Sequence, residues 1–484
     1  MQAPATGATD KGAGMGLKRI FAAMAAVTLA VAMAAPVARA ETLADALVAA
    51  YRNSNLLEQN RALLRATDED VVQARSALLP VVNFVTGANA ARQERSRLGS
   101  SSVLYPRSVS AQVSVEMTLI DFGRGRLGIE AAREQVLALR AALIGVEQGV
   151  LLNAIASFVD VQTALQVVNL RQSNVRLIDQ ELRAARERFE LGDSTRTDVA
   201  IAEARLAAAR SLLAAAEGDL AIAREEFQLA VGRAPGSLAP MPALPRLPGS
   251  LDAAQATARA NHPSITQAQH QVRAAELSGQ IARNQRYGTV RGDVSAGVSE
   301  SRPVGPNSGG RGADVSAGVN WSVPLYTGGR LPSAVRQSVA QTEGQRAALH
   351  QTVAQIQQSV ATNWAQLTVS RARLQASDQQ IEAARAAFEA VRAEAELGAR
   401  TTLDVLNAEQ ELLDAQFARI EAGAALQVIS YALLESTGQL TVTALNLGIP
   451  TYDVEAYSSG FAPAARTPSV QGQRLDAIMG RYRN

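Results

Sequence analysis

Alternation of apolar and polar residues marks four short segments of the chain, strictly in three of them and more weakly in residues 82–88. The clearest is VSAQVSVEMTL, residues 109–119, where every second residue is apolar. A period of two with a polar second face predicts strands of a sheet that is wet on one side. The predicted strands cover residues 81–93, 107–120, 288–301 and 312–325. A surface sheet on a soluble domain would show the same alternation. The polar loops 92–106 and 302–312 between paired strands suit the long outer loops of an outer-membrane barrel.

Very long helices follow the strand pairs. No proline occurs from Arg124 to Glu190 or from Ser333 to Glu396. At about 1.5 Å per residue, each segment would reach roughly 100 Å as a helix. The sequence therefore predicts two elongated helices, each returning through a turn into a second helix.

Apolar residues on these helices recur at spacings of three and four, which predicts narrow packing seams. One seam comprises Val136, Leu139, Leu143, Val146 and Val150. Another comprises Leu403, Leu406, Leu413, Phe417 and Ile420, with Gln410 at the missing position, and a second stripe beside it comprises Val405, Leu412 and Ala415. A helix with two stripes contacts a neighbour on each side, as in a ring of helices. An ordinary coiled coil explains the stripes but not the strands.

The chain repeats itself at an offset of about 206 residues. RFELGDSTRTDVAIAEARL, residues 188–206, aligns with EAELGARTTLDVLNAEQEL, residues 394–412, and LIDFGRG aligns with PLYTGGR upstream. We therefore predict two structural repeats of one architecture. The predicted segments are a signal peptide 1–40, a first repeat 41–232, a proline-rich linker 233–250, a second repeat 251–449 and a partly disordered tail 450–484.

The N-terminal forty residues have the pattern of a secretory signal peptide. Basic residues precede the apolar run 20–35, and an Ala-Arg-Ala sequence ends at Ala40, where we predict cleavage. Translation would start at Met1 or Met15. No other segment has about 18 uninterrupted apolar residues, so we expect no helix across an inner membrane. A mature protein within a membrane would then have to be a β-barrel.

Composition removes several functional classes. The chain has no cysteine, which excludes a disulfide-stapled exported enzyme and a lipid anchor on an N-terminal cysteine. Its net charge of +2 gives no basis for nucleic-acid binding. The three histidines, His262, His270 and His350, lack the spacing of metal ligands. We expect no catalytic set, no metal and no cofactor.

Gly123, Gly125 and Gly128 form the pattern G-x-G-x-x-G, which raises the possibility of a dinucleotide site. Such a site needs a second strand soon after a short helix, whereas here the helix continues for some sixty residues. The matching segment of the other half carries Gly328 and Gly329 and breaks the pattern. We predict that these glycines are joints between strand and helix, where unusual backbone angles are needed.

At these joints the chain resembles the TolC-like outer-membrane efflux proteins. The resemblance rests on LIDFGRG and PLYTGGR before long helices, on the two repeated turn segments, and on YDVEAY near the end. It covers residues 42–457. It implies an α+β membrane protein: a homotrimer in which each chain gives four strands to one transmembrane β-barrel, continuous with a long periplasmic α-helical barrel.

The resemblance also implies a function without enzymatic activity. The protein would be the exit duct of a tripartite efflux or type I secretion system. Its partners would be an inner-membrane pump and a periplasmic adaptor, which docks on the helix turns around Gly192 and Gly398. A structural periplasmic coiled-coil or adhesin-like protein and a general porin remain as alternatives.

Matching the repeated turns to the family pattern gives candidate gate residues. Arg400 and Asp404 fall on gate positions of the second half, and Thr197 and Asp198 fall on the facing positions of the first. The resemblance implies a link from Arg400 to Asp198 and Thr197, across or between protomers, and a ring of three Asp404 carboxylates that favours cations.

Two departures from the family pattern bear on this entrance. Asn407 stands where a second acidic ring can occur, and Ala395 stands where an aromatic contact can occur. We therefore expect an entrance that is less acidic and less tightly latched. Helix capping by Thr195-x-x-Asp198 and Thr401-x-x-Asp404 is an alternative explanation for both acids, although not for Arg400.

Overall fold

The computed structural model describes residues 40–97, 100–192, 194–302, 310–454 and 457. Residues 1–39, which make up most of the predicted signal peptide, residues 98–99, 193, 303–309 and 455–456, and the chain beyond residue 457 lie outside the described residues. The helices are α1 (Leu43–Asn53), α2 (Asn55–Ser76), α3 (Arg124–Glu190), α4 (Arg196–Val231), α5 (Leu251–Asn261), α6 (Pro263–Asn284), α7 (Arg330–Glu396) and α8 (Thr402–Ser436). The strands are β1 (Val81–Ala90), β2 (Gln93–Arg97), β3 (Ser100–Leu104), β4 (Arg107–Ile120), β5 (Thr289–Arg302) and β6 (Gly310–Ser322).

The long helices form as the sequence predicts. Helices α3 and α7 have 67 residues each, and their return helices α4 and α8 have 36 and 35. Helix α7 begins at Arg330, three residues before the proline-free segment starts at Ser333. Its first turn therefore contains Pro332. Proline is tolerated there because the first-turn N–H groups have no partner within the helix.

The four alternating segments pair into one antiparallel sheet in the order β1-β4-β5-β6. The central pair, β4 with β5, joins strands from the two halves of the chain. Strand β6 ends at Ser322, earlier than the alternation suggests, and Pro324 follows. The segment 92–106, predicted as a loop, is more structured than expected, because β2 and β3 pair as a separate antiparallel hairpin within it.

Small side chains and thin apolar stripes hold the helices together. The largest buried cluster lies where α1, α2, α3 and α4 meet the chain segment after α8, and the Phe158 and Phe227 rings at its centre are 6.4 Å apart. On α8 the two predicted stripes separate as expected. Leu406 packs with side chains of α3 and α4, whereas Val405 packs with Phe388 of α7. Leu403, predicted to lie in a seam, is instead 39% exposed in the single chain.

The linker and the first part of the tail are attached to the helices. The Glu41 N–H donates to the Ser237 carbonyl at 2.8 Å, and the Arg233 guanidinium pairs with the Glu41 carboxylate at 2.7 Å. After α8, the Tyr452 N–H donates to the Tyr51 hydroxyl at 3.1 Å. Both connecting segments therefore lie against the helical core.

Two described helices, α3 and α8, contain 18-residue windows apolar enough to cross a membrane. Neither window is an uninterrupted apolar run, so the sequence expectation of no spanning helix does not include them. Core helices of soluble regions pass the same test, and 44% and 33% of these windows are buried against neighbouring helices. They are weak evidence for spanning helices.

The buried aromatic pair provides a stability test. Phe227 is fully buried, so we expect Phe227→Ala to lower the free energy of unfolding by about 3–5 kcal/mol. Phe227→Leu keeps most of the apolar volume and should cost only about 1 kcal/mol. Denaturant unfolding followed by helical circular dichroism measures both changes. Equal losses in the two variants would contradict the packing role of the ring.

Candidate functional site: the turns at the helix tips

The chain reverses direction at two turns, residues 191–195 between α3 and α4 and residues 397–401 between α7 and α8. Gly192 and Gly398 adopt left-handed φ angles of 86° and 77°. Their N–H groups donate to the carbonyls of Phe189 at 3.1 Å and Ala395 at 3.0 Å. A glycine in this conformation ends a helix at no steric cost, so these two residues set where the long helices stop.

Both return helices begin with a complete capping box. The Asp198 carboxylate accepts from the Thr195 N–H at 3.0 Å, and the Thr195 hydroxyl accepts from the Asp198 N–H at 3.3 Å. Thr401 and Asp404 repeat the arrangement, with distances of 3.0 and 3.2 Å. Hydrogen bonds from the two threonines lower the pKa values of Asp198 and Asp404. Both acids therefore cap their helices and remain ionised at neutral pH.

Arg400 forms an ion pair within its own chain. Its Nε donates to Glu394 Oε2 at 2.8 Å, and both side chains are about half exposed. This hydrogen bond raises the pKa of Arg400 further. Asp198 bonds within its own turn, and Thr197 is exposed. A link from Arg400 to these two residues of another protomer stays a prediction.

Asn407 connects the two hairpins. Its Oδ1 accepts from the Arg205 guanidinium of α4 at 3.1 Å. The Asn407 side chain is thus held by a cation of the neighbouring helix. Ala395 is buried with Phe388 and Val405, so a small residue fills this place in the α7–α8 seam.

One buried residue close to the turns was not predicted. The apolar spacing leaves Gln410 at the missing position of the α8 seam, whereas the buried side chain there is Glu409, 6% exposed. Gln410 instead donates to Asp414 at 2.9 Å. Glu409 lies three residues after Leu406 and four before Leu413, so the three-and-four spacing of the seam is also consistent with burial of Glu409.

Glu409 has an unusual environment for a carboxyl group. Its Oε1 accepts from the Asn174 side-chain amide of α3 at 2.7 Å. Burial raises its pKa to about 7, although the hydrogen bond from Asn174 acts in the opposite direction. The nearby carboxylate of Glu181, also buried, adds to the increase. This carboxyl group can therefore bind or release a proton near neutral pH.

At the other end of α3, the glycine joint is occupied by a side chain of the protein itself. Gly123 has a φ of 84°, and the Asp121 carboxylate accepts from the N–H groups of Gly123, at 2.9 Å, and Gly125. These are the amides that would contact a phosphate in a dinucleotide loop. Gly328 and Gly329, with φ of 59° and 88°, form the equivalent joint before α7. The geometry agrees with strand-to-helix joints and leaves no phosphate cradle.

Two of the three histidines, His262 and His270, have structural partners. His262 accepts from the Ser264 N–H at 3.2 Å and caps α6, and burial lowers its pKa. His270 lies 2.6 Å from the Glu134 carboxylate. Within the described part of the chain, no group of three or more His, Asp or Glu side chains could hold a metal ion.

Comparison with known proteins identifies the family of this chain. The family model described as "Outer membrane efflux protein" matches residues 46–233 and 255–439. The chain is 34% identical over 420 residues to the outer membrane efflux protein BepC of Brucella suis biovar 1, covering 87% of this chain and 90% of the relative. It therefore belongs to the outer membrane efflux protein family.

Two further similarities agree with this assignment. The outer membrane protein TolC of Vibrio cholerae is 27% identical over 392 residues, which cover 78% of this chain and 86% of the relative. The crystal structure of the CmeC outer membrane channel of Campylobacter jejuni superposes with a TM-score of 0.70 at 14% identity, over 87% of this chain and 90% of the other. This second similarity supports the fold alone. The predicted resemblance to TolC-like proteins is confirmed.

The capping boxes make a local prediction. Thr195→Ala removes the hydroxyl that accepts from the Asp198 N–H, at a cost of about 1 kcal/mol to the first turn of α4. We expect amide hydrogen exchange in that turn to accelerate about fivefold, measured by mass spectrometry. Arg196→Ala, at an exposed position of the same first turn, is the matched control and should not accelerate exchange. Equal acceleration in both variants would show that the cap contributes nothing.

Proposed function

We propose that this protein is the outer-membrane exit duct of a tripartite efflux or type I secretion system. In this proposal it is a homotrimer that passes substrates from an inner-membrane pump and a periplasmic adaptor to the exterior. The duct has no enzymatic activity, and its channel is gated at the periplasmic end. The observation that carries the proposal is the division of the sheet into one apolar and one polar face.

Strand register produces this division. Directly opposite residues of antiparallel strands share a face of the sheet. One row across the four strands is Val82, Val115, Val294 and Ala317. The neighbouring row, on the other face, is Asn83, Ser114, Ser295 and Ser316. The strands therefore place hydrocarbon on one side and hydroxyl and amide groups on the other.

The apolar face has the dimensions of a membrane contact. It extends along β6 over nine residues from Ala313 to Trp321, which are eight steps of ~3.4 Å or about 27 Å along the strand. At the roughly 40° tilt of barrel strands this length corresponds to about 21 Å along the membrane normal, close to the apolar band of an outer-membrane barrel, which is about 25 Å tall. Val315 and Trp321 are 80% and 64% exposed in the single chain. Beyond Ala313, Arg311 pairs with Glu300 at 3.3 Å, so charges bound the outer end of the band.

Several chains must share such a barrel. Strands β1 and β6 are the edges of the described sheet, and four strands do not close on themselves. Unpaired edges bind other strands, and pairing β6 of one chain with β1 of the next would remove every edge. Three copies would give twelve strands, in agreement with the trimer that the family resemblance implies.

The helix lengths support an internal duplication. Helices α1 and α5 have 11 residues each, and α2 and α6 have 22 each. The order of helix, helix, strand pair, long helix and return helix occurs twice. We infer the repeats 41–232 and 251–449, joined by segment 233–250, with a signal peptide cleaved after Ala40 and a tail from residue 450.

The two turns suit a gate and a docking surface at the periplasmic end. Leu406 packs with α3 and α4 side chains and so brings the two tips side by side. Arg400 would link to Asp198 and Thr197 of a neighbouring protomer in the closed state, while three copies of Asp404 would select cations. Leu191 and Leu397, next to Gly192 and Gly398, are 78% and 86% exposed. They offer apolar contacts for the adaptor.

The two tryptophans of the chain allow a test of the barrel. Trp321 lies on the apolar face, and Trp364 packs in the helical region. In membranes containing brominated phospholipids, we expect strong quenching of Trp321 fluorescence in the Trp364→Phe variant. The Trp321→Phe variant, which retains Trp364, is the control and should be quenched little. Equal quenching of both residues would overturn the lipid-facing assignment.

Arg400→Ala tests the gate in planar bilayers. Loss of the guanidinium removes the proposed link between protomers, so single-channel conductance should rise severalfold above a small, cation-preferring wild-type value. Arg392→Ala is the control. Arg392 lies near the end of α7 and, like Arg400, pairs with a glutamate, in this case Glu396. Unchanged conductance in Arg400→Ala would refute the latch. A large ungated conductance in all proteins would favour a porin.

A further inference from the structure

Three side chains form a buried polar cluster between the two helix hairpins, which we call the acid site: Asn174 and Glu181 on α3 and Glu409 on α8. Glu409 and Glu181 are 6% and 9% exposed. Asn174 satisfies one oxygen of Glu409, and the other oxygen is buried with no hydrogen-bond partner in the described structure. A carboxylate in this position lacks both solvent and full hydrogen bonding.

The charges around the acid site do not compensate an ionised Glu409. The groups that act on it are Glu181 from α3, which opposes ionisation, and Arg205 from α4, which favours it. Arg205 is half-buried, and its guanidinium donates to Asn407 rather than to Glu409. Ionisation of Glu409 would therefore place its negative charge near that of Glu181, in surroundings of low dielectric constant.

The equivalent glutamate of the other half has a different environment. Glu203 aligns with Glu409 in the repeated turn segment. Its side chain is 51% exposed and pairs with Arg186 at 2.6 Å. The same residue type at the same repeat position is thus a solvated ion pair in one half and a buried acid in the other. Burial between the hairpins, and not the local sequence, distinguishes the two.

We propose that Glu409 is a proton-binding site that couples pH to the contact between the two hairpins. With a proton bound, Glu409 holds α8 against α3; when the proton is lost, this contact and the turns below it loosen. The coupling to opening rests on the proposed channel function. Asp404 lies five residues from Glu409, so a movement of α8 at the acid site reaches the gate directly.

The direction of the pH effect follows from linkage. The pKa of Glu409 is about 7 in the packed state, and in a loosened, hydrated state it would return toward its ordinary value of 4.5. The packed state is then favoured most below the ordinary pKa and loses this advantage as pH rises to about 7. Opening should increase across that interval and remain constant at higher pH. Between pH 5 and pH 8 the closed-to-open ratio should fall on the order of fiftyfold per chain.

Bilayer conductance between pH 5 and pH 8 tests the coupling in the full-length trimer. Wild type should open more as pH rises, whereas Glu409→Gln should show the low-pH behaviour throughout. Glu203→Gln is the matched control and should keep the wild-type profile. Glu181→Gln removes the like charge, so the midpoint should move to lower pH. This last variant tests the proposal even if Glu409→Gln does not assemble. A wild-type pH profile in both acid-site variants would overturn the coupling.

Infrared titration of the protonated-carboxyl stretch tests the proton site without reference to conduction. Wild type should show a carboxyl band that disappears near pH 7 and that is missing from Glu409→Gln but present in Glu203→Gln. If the band is found and no protein conducts, the proton site stands and the channel function fails. If the proteins conduct and no such band depends on Glu409, the channel function stands and the proton site is refuted.

Discussion

The pairing of β4 with β5 is the contact on which the rest of the architecture depends. These strands come from opposite halves of the chain, and their register aligns thirteen residue pairs from Arg107 with Arg302 to Ile120 with Val290. A side-chain contact beside the sheet stabilises this pairing: the Arg124 guanidinium donates to the Gly288 carbonyl at 3.0 Å. Because α3 starts at the end of β4 and α6 leads into β5, one ladder brings the two sets of helices together.

The helical part is stabilised by many modest contacts rather than by one large core. Aromatic residues are only 4% of the chain, and alanine is common among the buried side chains. Small residues allow long helices to approach closely along narrow stripes, which suits a thin wall better than a globule. Larger side chains concentrate where the short helices α1 and α2 cover α3, around Phe158 and Phe227. This region anchors the linker and the segment that follows α8.

Carboxyl groups near the helix tips lie in two different environments. Asp198 and Asp404 receive hydrogen bonds from backbone and hydroxyl groups, which stabilise their ionised forms. Glu409 is near Asp404 in sequence, yet it is surrounded by helices and another acid. The first environment lowers a carboxyl pKa and the second raises it. Permanent charge is thus located at the exposed turns, and titratable charge at the contact between hairpins.

The sequence by itself determined the local elements, because their causes are local. Alternation predicted the four sheet strands, the absence of proline predicted α3 and α7, and Gly192 and Gly398 marked the turns. The capping boxes and the glycine joints followed from the same short-range chemistry. Only the tertiary structure decided the β2–β3 hairpin between β1 and β4, the partner of Arg400 within one chain and the burial of Glu409. Glu203 and Glu409 show the reason: their local sequences are similar, and their environments differ because different helices pack over them.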